Sequence, residues 1–164
     1  MPAPPSLRIP RAVMPRLAVD SPLGRLILRE EDGRLAALDW RGKRAAADET
    51  PLLLEARRQL IEYFGGGRRV FDLPLAPTGS PLELRVWQLM SAIPYGETRT
   101  YGAFARALGA PARDVGEACG RNSLPIFIPC HRVMAADGRL GGYSGGQGSE
   151  TKRRLLVLEG ALLV

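Results

Sequence analysis

The sequence predicts an α+β protein: a small N-terminal domain with a short antiparallel sheet and a helix, followed by a mostly helical C-terminal domain with a winged-helix-like helix-turn-helix. Three observations carry this. Three short apolar runs near the start are separated by turn residues. Apolar spacing then changes to the helical period at Pro51. Finally, periodicity stops inside a proline-bearing segment, residues 71–81, before two further helical patterns flank Gly109.

Taken in order, residues 1–15 hold five prolines and read as a loose arm. Leu17 to Val19, Leu26 to Leu28 and Leu35 to Trp40 read as strands, with Ser21-Pro22-Leu23-Gly24 and Glu31-Asp32-Gly33 as turns. Thr50-Pro51 offers a cap followed by proline at the first helical position. Leu53, Leu54, Ala56, Leu60, Ile61 and Phe64 give that helix an apolar face to cover the sheet, and Gly65-Gly66-Gly67 ends it. The division follows as 1–76 for the N-terminal domain, 77–81 for a linker and 82–164 for the C-terminal domain. Leu82 to Met90 reads as a helix stopped by Ile93-Pro94-Tyr95-Gly96. Thr100 to Cys119 has the layout of a helix-turn-helix, with Thr100 as cap, Gly109 in the turn and Pro111 opening the second helix. Ala112, Gly116 and Arg121 fall on the exposed face of that second helix, where small residues permit close approach and arginine contacts phosphate. Ile126 to Ile128 reads as a short strand ending at Pro129-Cys130. A last helix, Thr151 to Leu163, is expected to be capped by Ser149 and to carry Glu159 within it.

Composition narrows the classes. The chain has 164 residues, 45% of them hydrophobic and 24% charged, which is ordinary globular composition. No apolar run approaches the ~20 residues of a membrane span, and prolines interrupt the start where a signal peptide would be apolar. We therefore expect a cytoplasmic protein without membrane contact, with Cys119 and Cys130 as free thiols. One histidine and two cysteines match no usual zinc spacing, so neither a metal nor any other cofactor is expected. Net charge is +6 and pI about 10, carried mostly by arginine. That suits a polyanionic partner without requiring one, since the excess divides evenly between the parts before and after Pro81.

Cysteine in an apolar run is ordinarily core. Cys130, however, is followed directly by His131, the one imidazole in the chain. A thiol attacks only as thiolate, so it needs a base or cation beside it. The stretch Ile128-Pro129-Cys130-His131-Arg132-Val133, continued by Gly141-Gly142-Tyr143-Ser144-Gly145-Gly146, closely resembles the signature of the alkylguanine-DNA alkyltransferases, also called methylated-DNA-protein-cysteine methyltransferases. Arg85-Val86-Trp87 and Ile93-Pro94-Tyr95-Gly96 are also typical of that family, and the resemblance covers most of residues 82–161.

The resemblance implies single-use transfer of an alkyl group from 6-O-alkylguanine in double-stranded DNA to Cys130, after the nucleotide is rotated out of the duplex. His131 takes the thiol proton through a water, Glu159 orients His131, and the Glu-His pair is expected to favour imidazolium and thiolate. Asn122 braces the site. Arg113 fills the gap left by the flipped base, while Tyr101 crowds the phosphate. Tyr143 and Ser144 surround the base and its alkylated oxygen, Pro125 lies against the alkyl group, and carbonyls near Cys130 and Val133 read the base edge. A monomer is expected. The structural zinc of some members has no ligands here. Asp114 and Ser123 depart from the usual small residue and proline, and Gln147-Gly148-Ser149-Glu150 from the usual link into the last helix. Two alternatives keep the same scaffold: a damage-binding relative that transfers nothing, which should lack the acceptor thiol, and a helix-turn-helix regulator, which should prefer one DNA sequence. A cysteine hydrolase or redox enzyme would instead turn over repeatedly.

Overall fold

The computed structural model describes residues 14–40 and 47–163. Strands β1 (Arg16–Ser21), β2 (Gly24–Glu31) and β3 (Arg34–Trp40) form an antiparallel sheet in sequence order. Its register pairs Leu17 with Leu28 and Leu28 with Leu38, so the leucines of all three strands share one buried face. Helix α1 (Pro51–Phe64) lies on that face, its first turn closed by Thr50 Oγ1 accepting from the Leu53 amide. Leu53, Ala56, Leu60 and Tyr63 point inward, whereas Ile61, expected in the core, is 58% exposed. The expected loose arm falls mainly on residues 1–13, outside the described residues.

The segment after α1 is tied down along β3. The Leu35 amide donates to the Pro74 carbonyl and the Ala76 amide to that of Leu35, both at 2.9 Å. Buried Gln59 holds Asp72 through both its backbone groups. Helix α2 (Pro81–Ser91) starts with a reciprocal cap between Ser80 and Glu83. Helices α3 (Tyr101–Leu108) and α4 (Ala112–Gly120) form the helix-turn-helix. Thr100 caps α3, and Gly109 turns the chain at φ 61°. Pro111 sits at the cap of α4, one place before the expected first helical position. Trp87 fixes α2 against α4 by donating its indole N–H to the Ala118 carbonyl at 2.8 Å.

Two expectations fail. Residues 126–128 form a tight turn, not a strand: Ile126 is left-handed at φ 74°, and the Ile128 amide donates back to the Leu124 carbonyl at 2.8 Å. The cause is Asn122. Its side-chain nitrogen donates to the Ile128 carbonyl at 2.8 Å and its oxygen accepts from the Leu124 amide at 3.0 Å, taking backbone groups that a partner strand would otherwise take. A β-branched residue in this region costs about 1–3 kcal/mol, which the surrounding apolar packing of Leu124 and Ile126 offsets. The last helix, α5 (Ser149–Leu158), is shorter than expected. Gly148, not Ser149, stands at its cap, and it ends because Glu159 turns inward and Gly160 goes left-handed at φ 74°.

A 3₁₀ turn, Cys130–Arg132, leads into β5 (Val133–Met134), which pairs in parallel with β4 (Arg99–Thr100). This short ladder joins the start of the helix-turn-helix to the cysteine segment. Leu28, Leu60, Trp87, Val115, Ile126 and Leu155 belong to one apolar core that runs through both halves of the chain. Ser123 sews the halves together at the surface of that core: its hydroxyl donates to the Ala36 carbonyl at 3.1 Å, and its own carbonyl accepts from the Leu38 amide at 2.9 Å. No described helix is long and apolar enough to cross a membrane.

Candidate active site

Cys130 opens the 3₁₀ turn at the floor of a groove of about 690 Å³. Ala112 and Gly116 of α4 line one wall, Tyr101 the start of α3, and Tyr143 and Ser144 the opposite loop. Arg113 projects from the rim, its side chain 88% exposed and loosely paired with Glu117 at 3.5 Å. Such an exposed pair contributes little, so this arginine is available to another anion. Arg121 is placed apart from the other predicted DNA contacts. It caps the end of α4 and turns towards Glu83 of α2, at 3.6 Å.

Behind the cysteine lies a cluster of charges. His131 is fully buried, with Nε2 at 2.8 Å from Glu159. Arg132, also buried, grips the same carboxylate twice, through Nε at 2.8 Å and Nη2 at 3.0 Å, and donates Nη1 to the Ile93 carbonyl. Tyr63, from α1, adds a 2.6 Å hydrogen bond to Glu159. Burial works to raise the Glu159 pKa, but the bonds from His131 and Arg132 prevail and hold it at about 2. With Arg132 already balancing the carboxylate, burial keeps His131 below its usual range despite Glu159, and the nearby Arg132 and Lys152 cations push the same way. The resting histidine is therefore neutral, not the imidazolium expected from a simple Glu-His pair. Burial likewise pushes the Cys130 thiol up, opposed by Asn122, Lys152 and Tyr143. Thiol and imidazole, on neighbouring residues of the turn, both rest uncharged, and His131 Nδ1 is buried with no partner among the described residues. A neutral Nδ1 whose other nitrogen is anchored on a carboxylate is built to receive a proton.

Lys152 was not anticipated from the sequence as part of the site. It is buried on α5, donates to the Val133 carbonyl at 2.6 Å and lies over the Tyr101 ring, 5.6 Å from its centroid. Burial lowers its pKa to about 8, with the Cys130 and Cys119 thiols pulling the other way. Val133 itself is buried outside the groove, and its carbonyl is engaged by this lysine. Cys119 shares the groove wall, but burial raises its thiol to about 12. Tyr63, Arg132 and Lys152 are the functional residues that sequence reasoning missed. Only Arg132, inside the cysteine signature, carried a local signal. Tyr143 Oη is buried and makes no hydrogen bond of good geometry, although it lies close enough to act on the Cys130 thiol.

A smaller pocket of about 200 Å³ also reaches Cys130. Asn122 and Pro125 line it, together with Tyr143, Ser144 and the end of β3. The predicted residues Cys130, His131, Glu159 and Asn122 thus converge, as do Tyr101, Ala112, Arg113, Gly116, Tyr143 and Ser144 around the groove, with Pro125 on the second pocket.

Residues 81–161 match the family model described as the DNA binding domain of 6-O-methylguanine DNA methyltransferase, and residues 16–77 match its ribonuclease-like domain. The chain is 45% identical to the constitutive methylated-DNA–protein-cysteine methyltransferase of Bacillus subtilis over 152 residues, 85% of this chain and 92% of that protein. It is 40% identical to the enzyme of that name from Methanosarcina acetivorans, over 87% of this chain and 96% of the relative. Among solved structures, the Mycobacterium tuberculosis OGT in complex with DNA superposes with a TM-score of 0.79 at 40% identity, covering 89% of this chain and 92% of that one.

Proposed function

This chain belongs to the 6-O-methylguanine DNA methyltransferase family, the methylated-DNA–protein-cysteine methyltransferases of direct-reversal repair, and from that premise we propose that Cys130 accepts one alkyl group from a guanine flipped out of duplex DNA. The observation that carries this is the neutral Cys130–His131 pair backed by the Glu159–Arg132–Tyr63 cluster at the floor of the helix-turn-helix groove.

The duplex lies along α4, where Ala112 and Gly116 let the backbone approach and Arg113 enters the stack as the nucleotide leaves it. Tyr101 crowds the phosphate and promotes rotation. Arg121, turned towards α2, contacts phosphate from the flank. The flipped base enters the groove between Tyr101 and the Tyr143–Ser144 loop, its alkyl group beside Pro125. Backbone carbonyls of the cysteine turn read its edge, that of Val133 sharing its lone pairs with Lys152. Thiol proton transfer to His131 Nδ1, through a water, yields imidazolium facing Glu159 and a thiolate facing the Lys152 cation. The sulfur attacks the alkyl carbon, the carbon–oxygen bond breaks, and its electron pair stays on the guanine. A tyrosine hydroxyl donating to the ring eases that departure. The guanine anion takes up a ring proton from solvent while the His131 imidazolium releases the thiol proton back to solvent, so the net transfer is of that proton to the base, and a thioether remains on the protein. No step restores the thiol, so each molecule reacts once. We read the protein as a cytoplasmic monomer with two modules, residues 1–76 and 82–164, joined by 77–81.

The test is a mass spectrum after incubation with excess methylated duplex. We expect one methyl group on the peptide holding Cys130, a one-to-one plateau retained in Cys119→Ser, and no transfer but continued binding in Cys130→Ala. A plateau above one, or label on Cys119, defeats the assignment.

A further inference from the structure

We propose that Trp40, on the N-terminal sheet, sets the upper size of the alkyl group that Cys130 accepts; this deepens the reading above and rests on it. Cys130 is reached from two sides. The larger groove runs along α4, while the second pocket shares Cys119, Cys130, Tyr143 and Ser144 with it and adds Leu38 and Trp40 at the end of β3, with Pro125 and Asn122. A base that enters from the groove presents its exocyclic substituent across Cys130, into this second space.

Trp40 forms the far wall. Its indole meets the Tyr143 ring edge-on, with centroids 6.3 Å apart and planes at 74°. It also lies flush on the glycine loop: a Cβ built on Gly145 would collide with the Trp40 indole, so the loop has no room to yield towards β3. Tyr143 and Gly145 line the pocket as well, so the indole bounds it on the β3 side while holding the loop beside it. The pocket holds about 200 Å³. An apolar cavity of ~150 Å³ takes up a benzene ring, so a methyl or a single-ring benzyl substituent fits and a fused two-ring substituent meets the indole. Size exclusion by a rigid aromatic wall is selective because overpacking forces off-rotamer side chains and backbone shifts.

The experiment measures second-order rates of Cys130 alkylation by free 6-O-methyl-, 6-O-benzyl- and 6-O-(1-naphthylmethyl)guanine, by intact mass, for the full chain and for Trp40→Ala, Trp40→Leu and Trp40→Phe. The readout is the naphthylmethyl-to-methyl rate ratio within each protein, which cancels losses common to both substrates from a loosened loop. We expect it to rise at least tenfold in Trp40→Ala and less in Trp40→Leu and Trp40→Phe, with a smaller rise for benzyl. A ratio unchanged across the series overturns the proposal. If Trp40→Ala does not fold, the Phe and Leu variants decide by the same ratio. Failure of the wild-type chain to take methyl from methylated duplex would instead defeat the parent reading, and is scored separately.

Discussion

Replacing Glu159 with glutamine separates the two tasks of that carboxylate. Four donors converge on it: Arg132 Nε and Nη2, Tyr63 Oη and His131 Nε2, all within 3.0 Å. Glutamine offers one acceptor oxygen and turns an NH₂ group against the remaining donors, leaving the Arg132 guanidinium buried without a counter-charge. Removing one partner of a buried ion pair costs about 3–5 kcal/mol. A second route gives a similar figure, since a carboxyl held at about 2 instead of 4.5 corresponds to about 3 kcal/mol of preference for the charged form. For a chain of this length each kcal/mol moves Tm by about 2–4 °C, so calorimetry at pH 7.5 should show Glu159→Gln melting roughly 6–20 °C below wild type. Transfer is then measured well below that melt. It should be slower by about one to two orders of magnitude, up to the lower end of the ~10²–10⁴ that positioned proton transfer contributes, since His131 itself remains, yet reach the same one-to-one end point. A Tm within about 2 °C of wild type would refute the claim that the carboxylate balances Arg132.

Arg113→Ala should slow repair of methylated duplex far more than reaction with a free alkylated guanine, because its guanidinium is exposed at the rim and bonded to none of the relay residues; equal slowing on both substrates would contradict a role in flipping. Acid should destabilise the fold in two stages. His131 has a folded pKa below its unfolded value of ~6.5, so the unfolded chain gains the proton first and stability falls as pH drops through that value, at up to ~1.4 kcal/mol per pH unit. Glu159 is depressed too; its contribution is complete above 4.5 and is lost as pH falls towards about 2. Urea midpoints at pH 7.5, 5.5 and 3.5 check both stages; a flat response from 7.5 to 5.5 would contradict a depressed histidine, and a rise in stability over that interval would mean that the buried imidazole is charged.

The strands, the first two helices and the helix-turn-helix were legible because their signals are local: turn residues between apolar runs, Thr50, Ser80 and Thr100 at caps, and Gly109 where only a left-handed residue closes α3. Residues 126–128 misled because an apolar tripeptide before proline looks extended, while the side chain that bends it, Asn122, stands outside the run. Local sequence also does not show that Arg132 and Lys152 enter the interior, since basic residues are seldom buried without partners and theirs lie far along the chain. The same distance hid Tyr63, whose hydroxyl finds Glu159 across 96 positions. The neutral histidine follows first from its complete burial, which local sequence does not show, and then from Arg132, whose guanidinium already balances the carboxylate.

That bond from Tyr63 to Glu159 also orders events in time. Synthesis runs from the N-terminus, and domains generally begin to fold as they appear. The sheet and α1 can therefore form early, and the helix-turn-helix after them, but Arg132 has no carboxylate to accompany it into the core until residue 159 has been added. Contacts of such long sequence separation are slow to close. The cysteine turn is consequently among the last parts to settle, and a growing chain carries Cys130 and His131 for a stretch of 28 residues before the group that anchors the imidazole exists. Until then Cys130 has only the reactivity of an ordinary exposed cysteine, and the assembled proton relay belongs to the chain that has reached Glu159.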